Sequence, residues 1–476
     1  MIIKYCFNAP STFTRWACCP SILRLLLLSL LTATETSIGA EIDPADWATE
    51  WSERTGVTLE HSFDSSGPDA WDAAAHPLVY VLSEGPGYGG LLSGVRLPGV
   101  VIIDANTREV VASQNFDVLA WGWSNVFEPH GLGVSPDGKW IYLPTGEGSF
   151  ATKGENAGRF LVINARTLKI DKVIKLPSQA HHAKSYRTPD GEIRSMLYAF
   201  HGELIVLGPS DDNRMVGGVF EDTMDGDKIP YLYFMSPEGD TLLGASAHYG
   251  NLNSLDKELA TNIYFFEPEN WTITKKIPVN DAALTWTAFT SDGASAYISA
   301  SHSNSVYKLD RATNTVAAKG GAGVNGPYGV HLGWDDELLY VIGKGEHSHN
   351  RGKSVGIVRD NTASASTTQG GRGGFISLIA PQDEIYTGCV RGDHGTLHPD
   401  PEANELWISC NSSFEVVILD LDLRDITGRI PMPNGGSTHS GAFVEYSADW
   451  EGEVVSDPNG LHGSALAFKR KILTGE

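Results

Sequence analysis

Short apolar stretches alternate with turn-forming residues along most of the chain, and one such unit recurs. The segment SPDGKWIYL at 135–143 places Ser, Pro, Asp and Gly ahead of aromatic and β-branched residues. This pattern predicts a tight turn followed by a β-strand. The acidic residues of successive turns are 44 to 66 positions apart, so the chain repeats one supersecondary unit. Further units begin at Thr188, Ser236, Thr290, Gly333 and Asp400.

A second repeated pattern lies between these units. It consists of an apolar stretch that ends in Asp or Asn, a short turn, and another strand-like stretch, which together predict a β-hairpin in the outer part of each repeat. The pattern occupies residues 99–113, 159–176, 305–319 and 414–430. Four short strands per repeat without helical blocks are typical of a β-propeller. We therefore predict an all-β fold, a seven-bladed β-propeller, with eight blades as the alternative. A β-sandwich or several small β-domains would not carry one repeat plan from residue 77 to 470.

The N-terminus has the pattern of an export signal. Basic residues precede the apolar run Leu25–Leu31, and small and polar residues follow it up to Ala40. The run is too short to span a bilayer, which favours a cleaved signal peptide over an uncleaved anchor. No later stretch is long and apolar enough to span a membrane, so we expect a periplasmic or secreted protein. The predicted parts are a signal peptide at 1–40, an N-terminal extension at 41–76 and a single β-propeller domain at 77–476.

The predicted mature chain is strongly acidic. Without residues 1–40 it carries 32 basic and 57 acidic residues, a net charge of −25. Such a surface repels nucleic acid and anionic membranes. We therefore expect no nucleic-acid partner, and an anionic substrate would need a locally basic pocket.

Two cysteines remain after removal of the signal, Cys389 and Cys410. In an oxidising compartment a disulfide between them is the simplest interpretation. The chain lacks a C-x-x-C-H motif, so it attaches no c-type haem.

Histidines stand ahead of several turn–strand units. In a propeller, the residues just ahead of each innermost strand converge at one end of the central channel, although they are far apart in sequence. Imidazole nitrogens at such positions bind copper, zinc, iron or nickel. In one repeat Asp281 stands in the region where the others have a histidine, and it serves there as a ligand or as a turn cap. Two of the ligands have an alternative nearby, since His181 could replace His182 and His398 could replace His394. The predicted metal ligands are His130, His182, Asp281, His331, His394, His439 and His462.

These histidine motifs resemble those of a known family. The stretch from His130 to Lys184 holds a histidine, a D-G-K turn, a hairpin and the segment IDKVIKLPSQAHH, and GVHLGWDD, GDHGTLHPD and GGSTHSGAF follow it. Here the chain resembles the propeller domain of nitrous oxide reductase, and more closely the thiocyanate dehydrogenase-like branch of exported single-domain propellers. The resemblance covers most of the propeller. It implies three copper ions held by histidines and an aspartate, and oxidation of thiocyanate with water to cyanate and sulfur.

The resemblance also implies roles for further residues and partners. The branch uses a lysine near its substrate, and Arg96 stands in about that place. Arg96 can hold an anion through two hydrogen bonds, although a guanidinium cannot serve as a proton-transfer base. We expect His248 or Glu128 to move the proton. The electrons would pass to an external acceptor such as a c-type cytochrome, and the chain could form a homodimer.

Other functions stay open at this point. One is a related copper propeller that acts on another small substrate such as nitrous oxide. Another is a non-catalytic propeller that binds a partner protein, as many repeat folds do. A calcium-dependent hydrolase ranks lower, since it would need carboxylates and asparagines where this chain has imidazoles.

Overall fold

The structure, a computed structural model, describes most of the chain after residue 55. Arg96, Glu128 and His248, for which the sequence predicts catalytic roles, lie outside the described residues. The described residues are 47, 52, 55–84, 97–121, 130–146, 153–200, 202–224, 226, 227, 229–245, 261–279, 281, 283–345, 352–361, 379–433 and 436–475.

The described residues are mostly in β-strands. The strands of the first half are β1 (Thr58–Ser62), β2 (Leu78–Glu84), β3 (Gly99–Asp104), β4 (Val110–Asn115), β5 (Gly133–Val134), β6 (Trp140–Gly146), β7 (Lys153–Asn164), β8 (Lys169–Ser178), β9 (Ala180–Arg187), β10 (Ile193–Ala199), β11 (Leu204–Gly208), β12 (Arg214–Val219), β13 (Leu232–Met235), β14 (Leu242–Ala245), β15 (Asn262–Glu267) and β16 (Thr272–Pro278).

The second half continues the pattern and adds a C-terminal helix. Its strands are β17 (Leu284–Phe289), β18 (Ser295–Ala300), β19 (Ser305–Asp310), β20 (Thr315–Gly321), β21 (Pro327–Leu332), β22 (Leu338–Gly343), β23 (Ser354–Asp360), β24 (Ile379–Tyr386), β25 (Arg391–Leu397), β26 (Glu405–Asn411), β27 (Glu415–Asp420), β28 (Asp425–Pro431), β29 (Gly441–Tyr446), β30 (Gly452–Asp457) and β31 (Gly460–Leu461). The helices are α1 (Gly463–Thr474) and two 3-10 turns at Val118–Trp121 and Glu221–Thr223.

These strands form seven antiparallel sheets, the blades of a β-propeller. Six blades follow the chain, from β5–β8 (blade 1) to β25–β28 (blade 6). Blade 7 joins the two ends of the chain, because β29 pairs with β2 in the order β29-β2-β3-β4. This pairing sets Val79 opposite Val444 and closes the ring. The prediction of seven blades is therefore confirmed.

The predicted turn–strand units connect the innermost strand of a blade to its second strand. In blade 1 the Ser135 hydroxyl donates to the Asp137 carboxylate over 2.6 Å and accepts from the Trp140 amide over 2.9 Å. Gly138 takes a φ of +70°, which glycine adopts without steric cost. The local sequence thus determines where each blade reverses direction.

The segment before the propeller contributes to a blade. Strand β1 pairs with β8 and extends blade 1 to five strands, with Leu59 opposite Ile174. The Arg159 guanidinium, buried at that edge, pairs with the Glu60 carboxylate. Part of the predicted N-terminal extension therefore covers a sheet edge that would otherwise expose unpaired backbone groups.

The C-terminal residues enter the central channel. Strands β30 and β31, their connecting turn and α1 are called the C-terminal plug. The Pro458 carbonyl in this turn accepts a hydrogen bond from the Trp286 indole over 2.7 Å, and the Ser456 hydroxyl donates to the Leu397 carbonyl over 2.6 Å. From α1, the buried Lys469 ammonium donates to the Gly333 carbonyl over 2.6 Å. The plug thus covers the channel end that carries the inner turns, opposite the end where the inner strands begin.

Cys389 and Cys410 form a disulfide that joins the segment before β25 to the end of β26. Both cysteines are fully buried, and the predicted pairing is confirmed. Among the described residues, no helix combines the length and apolar character needed to cross a membrane.

One ion pair helps to hold the plug. The buried Lys469 pairs with the partly buried carboxylate of Asp336 at the turn end of the channel, and Asp336 also accepts from the Ser291 amide over 2.7 Å. We expect Lys469→Met to lower the free energy of unfolding by about 1–3 kcal/mol, because the substitution removes the ammonium from Asp336 and from the Gly333 carbonyl. Urea unfolding at neutral pH measures this change. Lys471→Met in the same helix is the control, since Lys471 is exposed and its loss should cost less than about 0.5 kcal/mol. Equal effects of the two substitutions would contradict the assignment.

Candidate functional site: a buried imidazole cluster

The inner strands bring five histidines together at the end of the channel where those strands begin. His130 stacks on His439 with ring centroids 4.3 Å apart and lies 5.3 Å from His181. His182 lies 4.0 Å from His181 and 5.2 Å from His394. All five are at least nine-tenths buried. We call this group the imidazole cluster, and it consists of His130, His181, His182, His394 and His439.

Local backbone features let neighbouring residues reach the cluster. Strand β25 carries a bulge between Gly392 and Gly395. In a regular strand the side chains of Asp393 and His394 would point to opposite faces, and the bulge lets both reach the cluster. In blade 1, Gly131 forms a bridge with His182. A Cβ on Gly131 would lie 1.8 Å from the His182 ring, so this contact requires glycine.

The shortest contact within the cluster joins two nitrogens. His182 Nε2 lies 3.1 Å from His394 Nε2, and His394 Nε2 lies 3.3 Å from Asp393 Oδ1. The Nδ1 atoms of His182 and His394 are buried without a hydrogen-bond partner, as is Asp393 Oδ1. Buried polar atoms normally have partners, so these three atoms mark unused binding capacity.

His439 differs from these residues because a carboxylate and an amide both contact its ring. Nδ1 lies 2.8 Å from Asp393 Oδ2. The amide nitrogen of Asn411 lies 2.9 Å from Nε2 and 3.3 Å from Nδ1, so it faces the ring rather than one of the two nitrogens. Because an ionised carboxylate only accepts, Nδ1 of His439 donates to Asp393.

His331 lies beside the cluster with a nitrogen already occupied. Its Nε2 accepts a hydrogen bond from the Gly395 amide over 2.9 Å. Burial lowers the pKa of His331 to about 3, although Asp457 and a hydrogen bond at Pro458 act in the opposite direction. The imidazole of His331 is thus neutral and helps to fix the bulge of β25.

Burial governs the protonation of the cluster. Burial, reinforced by the neighbouring imidazoles, lowers the pKa values of His181, His182 and His394 well below the ordinary value. Burial also opposes ionisation of Asp393, but the ammonium of Lys344 at 3.2 Å holds its pKa well below the usual range. Neutral imidazoles beside an ionised carboxylate form a donor set suited to a cation.

A layer of aromatic side chains separates the cluster from the C-terminal plug. The Trp286 ring lies 3.8 Å from the His394 ring, and the ammonium of Lys184 lies 3.8 Å from Trp286 and 3.4 Å from Phe234. Burial lowers the pKa of Lys184 well below its ordinary value, while the charge of Asp457 acts in the opposite direction. A small cavity of about 10 Å³ lies here, lined by His182, Lys184 and Trp286 among others.

The structure does not place every predicted ligand in the cluster. The Asp281 carboxylate accepts hydrogen bonds from Tyr307 at 2.7 Å and Lys319 at 3.0 Å in its own blade. His462 precedes α1 in the plug, and its Nε2 lies 2.8 Å from Asp457. His398 Nδ1 accepts from the Asp400 amide, which leaves His394 as the histidine of β25 in the cluster. His181 and His182 both belong to it.

Among the described residues, no group of three or more His, Cys, Asp or Glu side chains has the arrangement of a metal-binding set. His182, His394 and Asp393 come near such a set. His182 Nε2 lies 3.1 Å from His394 Nε2, which lies 3.3 Å from Asp393 Oδ1. The cluster thus has the donor chemistry of a metal site without a complete set of ligands around one point.

Sequence reasoning missed Asp393, Lys344 and Asn411. Asp393 immediately precedes His394 in GDHGTL, and strand alternation predicts that two adjacent residues point apart. The two flanking glycines were the available signal for a bulge. Lys344 and Asn411 come from other strands or loops, and no sequence pattern links them to the histidines.

The protonation of the cluster makes stability depend on pH. Because the unfolded histidines take up protons below their ordinary pKa while the buried ones do not, stability falls as pH drops below about 6.5. We expect metal-free protein to lose about 1.4 kcal/mol in total between pH 7.5 and 5.5 for each such imidazole, with the raised pKa of His462 acting in the opposite direction. Urea unfolding at several pH values between 7.5 and 5.5 measures the slope. His394→Ala should reduce it and the exposed His302→Ala should not; a pH-independent native protein would refute the assignment.

Comparison with known proteins finds the fold but no family. No protein-family model matches the sequence, and no curated protein matches it. The similar solved structures include the following three. The dihydro-heme d1 dehydrogenase NirN has a TM-score of 0.51 and 15% identity over 89% of this chain and 82% of that one. The Pseudomonas aeruginosa periplasmic gluconolactonase PpgL has a TM-score of 0.51 and 15% identity over 77% of this chain and 99% of that one. A putative 6-phosphogluconolactonase of Bacteroides fragilis has a TM-score of 0.51 and 16% identity over 78% of this chain and 98% of that one. At such identities these likenesses show the propeller fold alone.

Proposed function

We propose that this chain is an exported copper-dependent oxidoreductase whose site is the imidazole cluster. The observation that carries the proposal is the packing of five buried histidines with Asp393 at one channel end. Burying this many imidazoles costs free energy, because each loses hydration. A bound cation would offset part of that cost by interacting with the imidazole nitrogens and with Asp393.

The residues present fit copper in donor type. His182 Nε2 and His394 Nε2 are 3.1 Å apart, and two nitrogens at about 2 Å from one ion are about 2.8–3.3 Å apart when the angle at the ion is about 90–110°. Their unpaired Nδ1 atoms and Asp393 Oδ1 add further capacity. Imidazole suits copper well. We propose that His182, His394 and Asp393 hold an ion and that His130 and His181 contribute to the binding of others, up to the three copper ions that the family resemblance implies.

Copper bound here would supply electron storage and a bound water of lowered pKa. The chain's own residues would set the conditions. Trp286 and the plug close the channel behind the cluster, which keeps bulk water out on that side. Asp393, held ionised beside Lys344, orients His439. The Lys344 ammonium brings a positive charge into a strongly acidic protein.

We propose a small anion as the substrate. Thiocyanate is the first candidate, through the family resemblance, and its oxidation with one water gives cyanate, sulfur, two protons and two electrons. The electrons would go to an external acceptor such as a c-type cytochrome. Arg96 is predicted to hold the anion, and His248 or Glu128 is predicted to move the proton. These roles stay predictions.

One observation favours a second candidate. The described residues lack a complete three-ligand set, as expected of a non-catalytic propeller that binds a partner protein. If this chain is such a propeller, the imidazole cluster is a packed lining of the channel and binds no copper.

Copper loading separates the two candidates. We expect protein expressed with copper, or reconstituted with it, to retain at least about one copper per chain after dialysis, because the buried imidazoles bind the ion and exclude water. Elemental analysis gives the stoichiometry. His182→Ala and His394→Ala should each lower it, and His302→Ala, at an exposed turn, is the control.

Retention of less than one copper per chain in native protein would contradict the proposal. Thiocyanate-dependent reduction of a dye then tests the substrate. Copper retention without this activity would leave a copper propeller acting on another small substrate.

The Gly131 contact offers an independent test of the cluster geometry. We expect Gly131→Ala to displace the His182 ring, since the added Cβ would lie 1.8 Å from it, and to weaken copper binding about tenfold or more. Titration with a competing chelator measures the affinity. Gly321→Ala is the control, because its Cβ would meet only ordinary contacts. Native affinity in Gly131→Ala would exclude His182 as a ligand.

A further inference from the structure

The helix α1 of the C-terminal plug presents a second apolar face to solvent. Its inward face buries Ala465, Leu466 and Lys469. On the outside, Phe468 and Ile472 are 49% and 48% exposed and lie one helical turn apart, so they form a patch of the kind that marks an interaction surface. Residues spaced by three, four, seven and eight positions share one face of a helix. The outward stripe with this spacing consists of Ser464, Ala467, Phe468, Lys471 and Ile472, all of them exposed.

The charge of α1 differs from that of the chain as a whole. The chain carries a formal net charge of −23, whereas α1 contains three basic residues and no acidic one. Two of the three pair within the chain, Lys469 with Asp336 and Arg470 with Glu238. Lys471 is exposed near the C-terminal end of the stripe. Two copies of this acidic protein therefore repel each other least when they approach through α1.

The N-terminal end of the stripe is acidic. The Glu453 carboxylate accepts a hydrogen bond from the Ser464 hydroxyl over 2.7 Å at the start of α1. Glu453 also lies directly opposite Glu445 across β29 and β30, and like charges in such a pair repel each other. Burial, together with the charge of Glu453, raises the pKa of Glu445. A cation supplied by another molecule would relieve this repulsion.

We infer that α1 is the surface through which two copies of this chain associate, with their helices antiparallel about a two-fold axis. Phe468 is the middle position of the stripe, so the two copies of Phe468 meet at this axis. The antiparallel arrangement brings Lys471 of one protomer to the Glu453 end of its partner, and the same contact occurs twice. A stripe with an apolar centre, a basic end and an acidic end is complementary to itself, as a two-fold interface requires.

This contact does not cover the imidazole cluster of either protomer. The plug occupies the channel end opposite the cluster, so two copies joined through their plugs direct their clusters away from each other. The inference therefore does not rest on the proposed function. One 12-residue helix from each protomer buries less than the roughly 1,200–2,000 Å² of stable complexes, so we expect the dimer to dissociate on dilution.

Analytical ultracentrifugation of the purified protein tests the inference. We expect a monomer–dimer equilibrium at concentrations between about 1 and 100 μM. Phe468→Ser should raise the dissociation constant at least about tenfold, because an aromatic side chain at the centre of an interface carries much of its affinity. Tyr386→Ser is the matched control. Tyr386 is 66% exposed at the end of β24, on the cluster side of the ring, and its replacement should leave the equilibrium unchanged.

Cross-linking tests the two-fold geometry and also serves if Phe468→Ser does not fold. Phe468→Cys should form a disulfide between protomers under mild oxidation, because the two copies of this residue meet at the axis. Cys389 and Cys410 are already paired and buried. Tyr386→Cys and the unsubstituted protein, oxidised in the same way, should remain monomers on a non-reducing gel.

Native protein that stays monomeric over this concentration range would overturn the inference, as would a dimer that Phe468→Ser leaves intact. Equal cross-linking of Phe468→Cys and Tyr386→Cys would reveal random collision and would overturn the two-fold contact. Monomeric native protein that binds phosphatidylcholine vesicles, with binding lost in Phe468→Ser, would assign the stripe to a membrane surface instead. None of these measurements involves copper, so the proposed function stands or fails separately.

Discussion

The pairing of β29 with β2 is the constraint on which the rest of the structure depends. It joins strands from opposite ends of the chain and closes seven blades into a ring. Each inner strand is then held at a fixed distance from one axis, so residues separated by tens or hundreds of positions meet. His182 and His394 come within 3.1 Å although 212 residues separate them. No local interaction could bring these two imidazoles together, and an open ring would leave them apart.

The cluster shows how a channel can hold many imidazoles without charging them. Each buried histidine loses hydration, which disfavours its cationic form, and the neighbouring rings reinforce the effect. The ionised groups in this region are paired, Asp393 with Lys344 and Asp457 with His462. The C-terminal plug contributes through Trp286, which packs against His394 and donates to the Pro458 carbonyl. The closed channel end and the neutral imidazoles are therefore parts of one arrangement.

Repeated local signals made the fold predictable. Each turn such as Ser135 to Gly138 contains its own hydrogen-bonding and left-handed residues, so its position follows from a few adjacent amino acids. The regular spacing of these turns then indicates the blades. The position of His130 and His182 ahead of or within inner strands follows from the same repeat. Asp281 shows the limit of this reasoning, because equal spacing placed it in the right blade region while its side chain is bound by Tyr307 and Lys319.

By itself, the sequence determined the all-β repeat, the number of blades, the disulfide partners and the convergence of most of the histidines, because all of these depend on local turn chemistry and on periodicity. Only the tertiary structure decided which groups surround the imidazoles. The bulge of β25 lets both Asp393 and His394 reach the cluster, while Lys344 comes from the neighbouring blade and Asn411 from the next strand of the same blade. These contacts arise between strands that close the ring, and a bulge of one residue changes which face a side chain reaches. The pattern of residues along one strand therefore cannot specify these contacts.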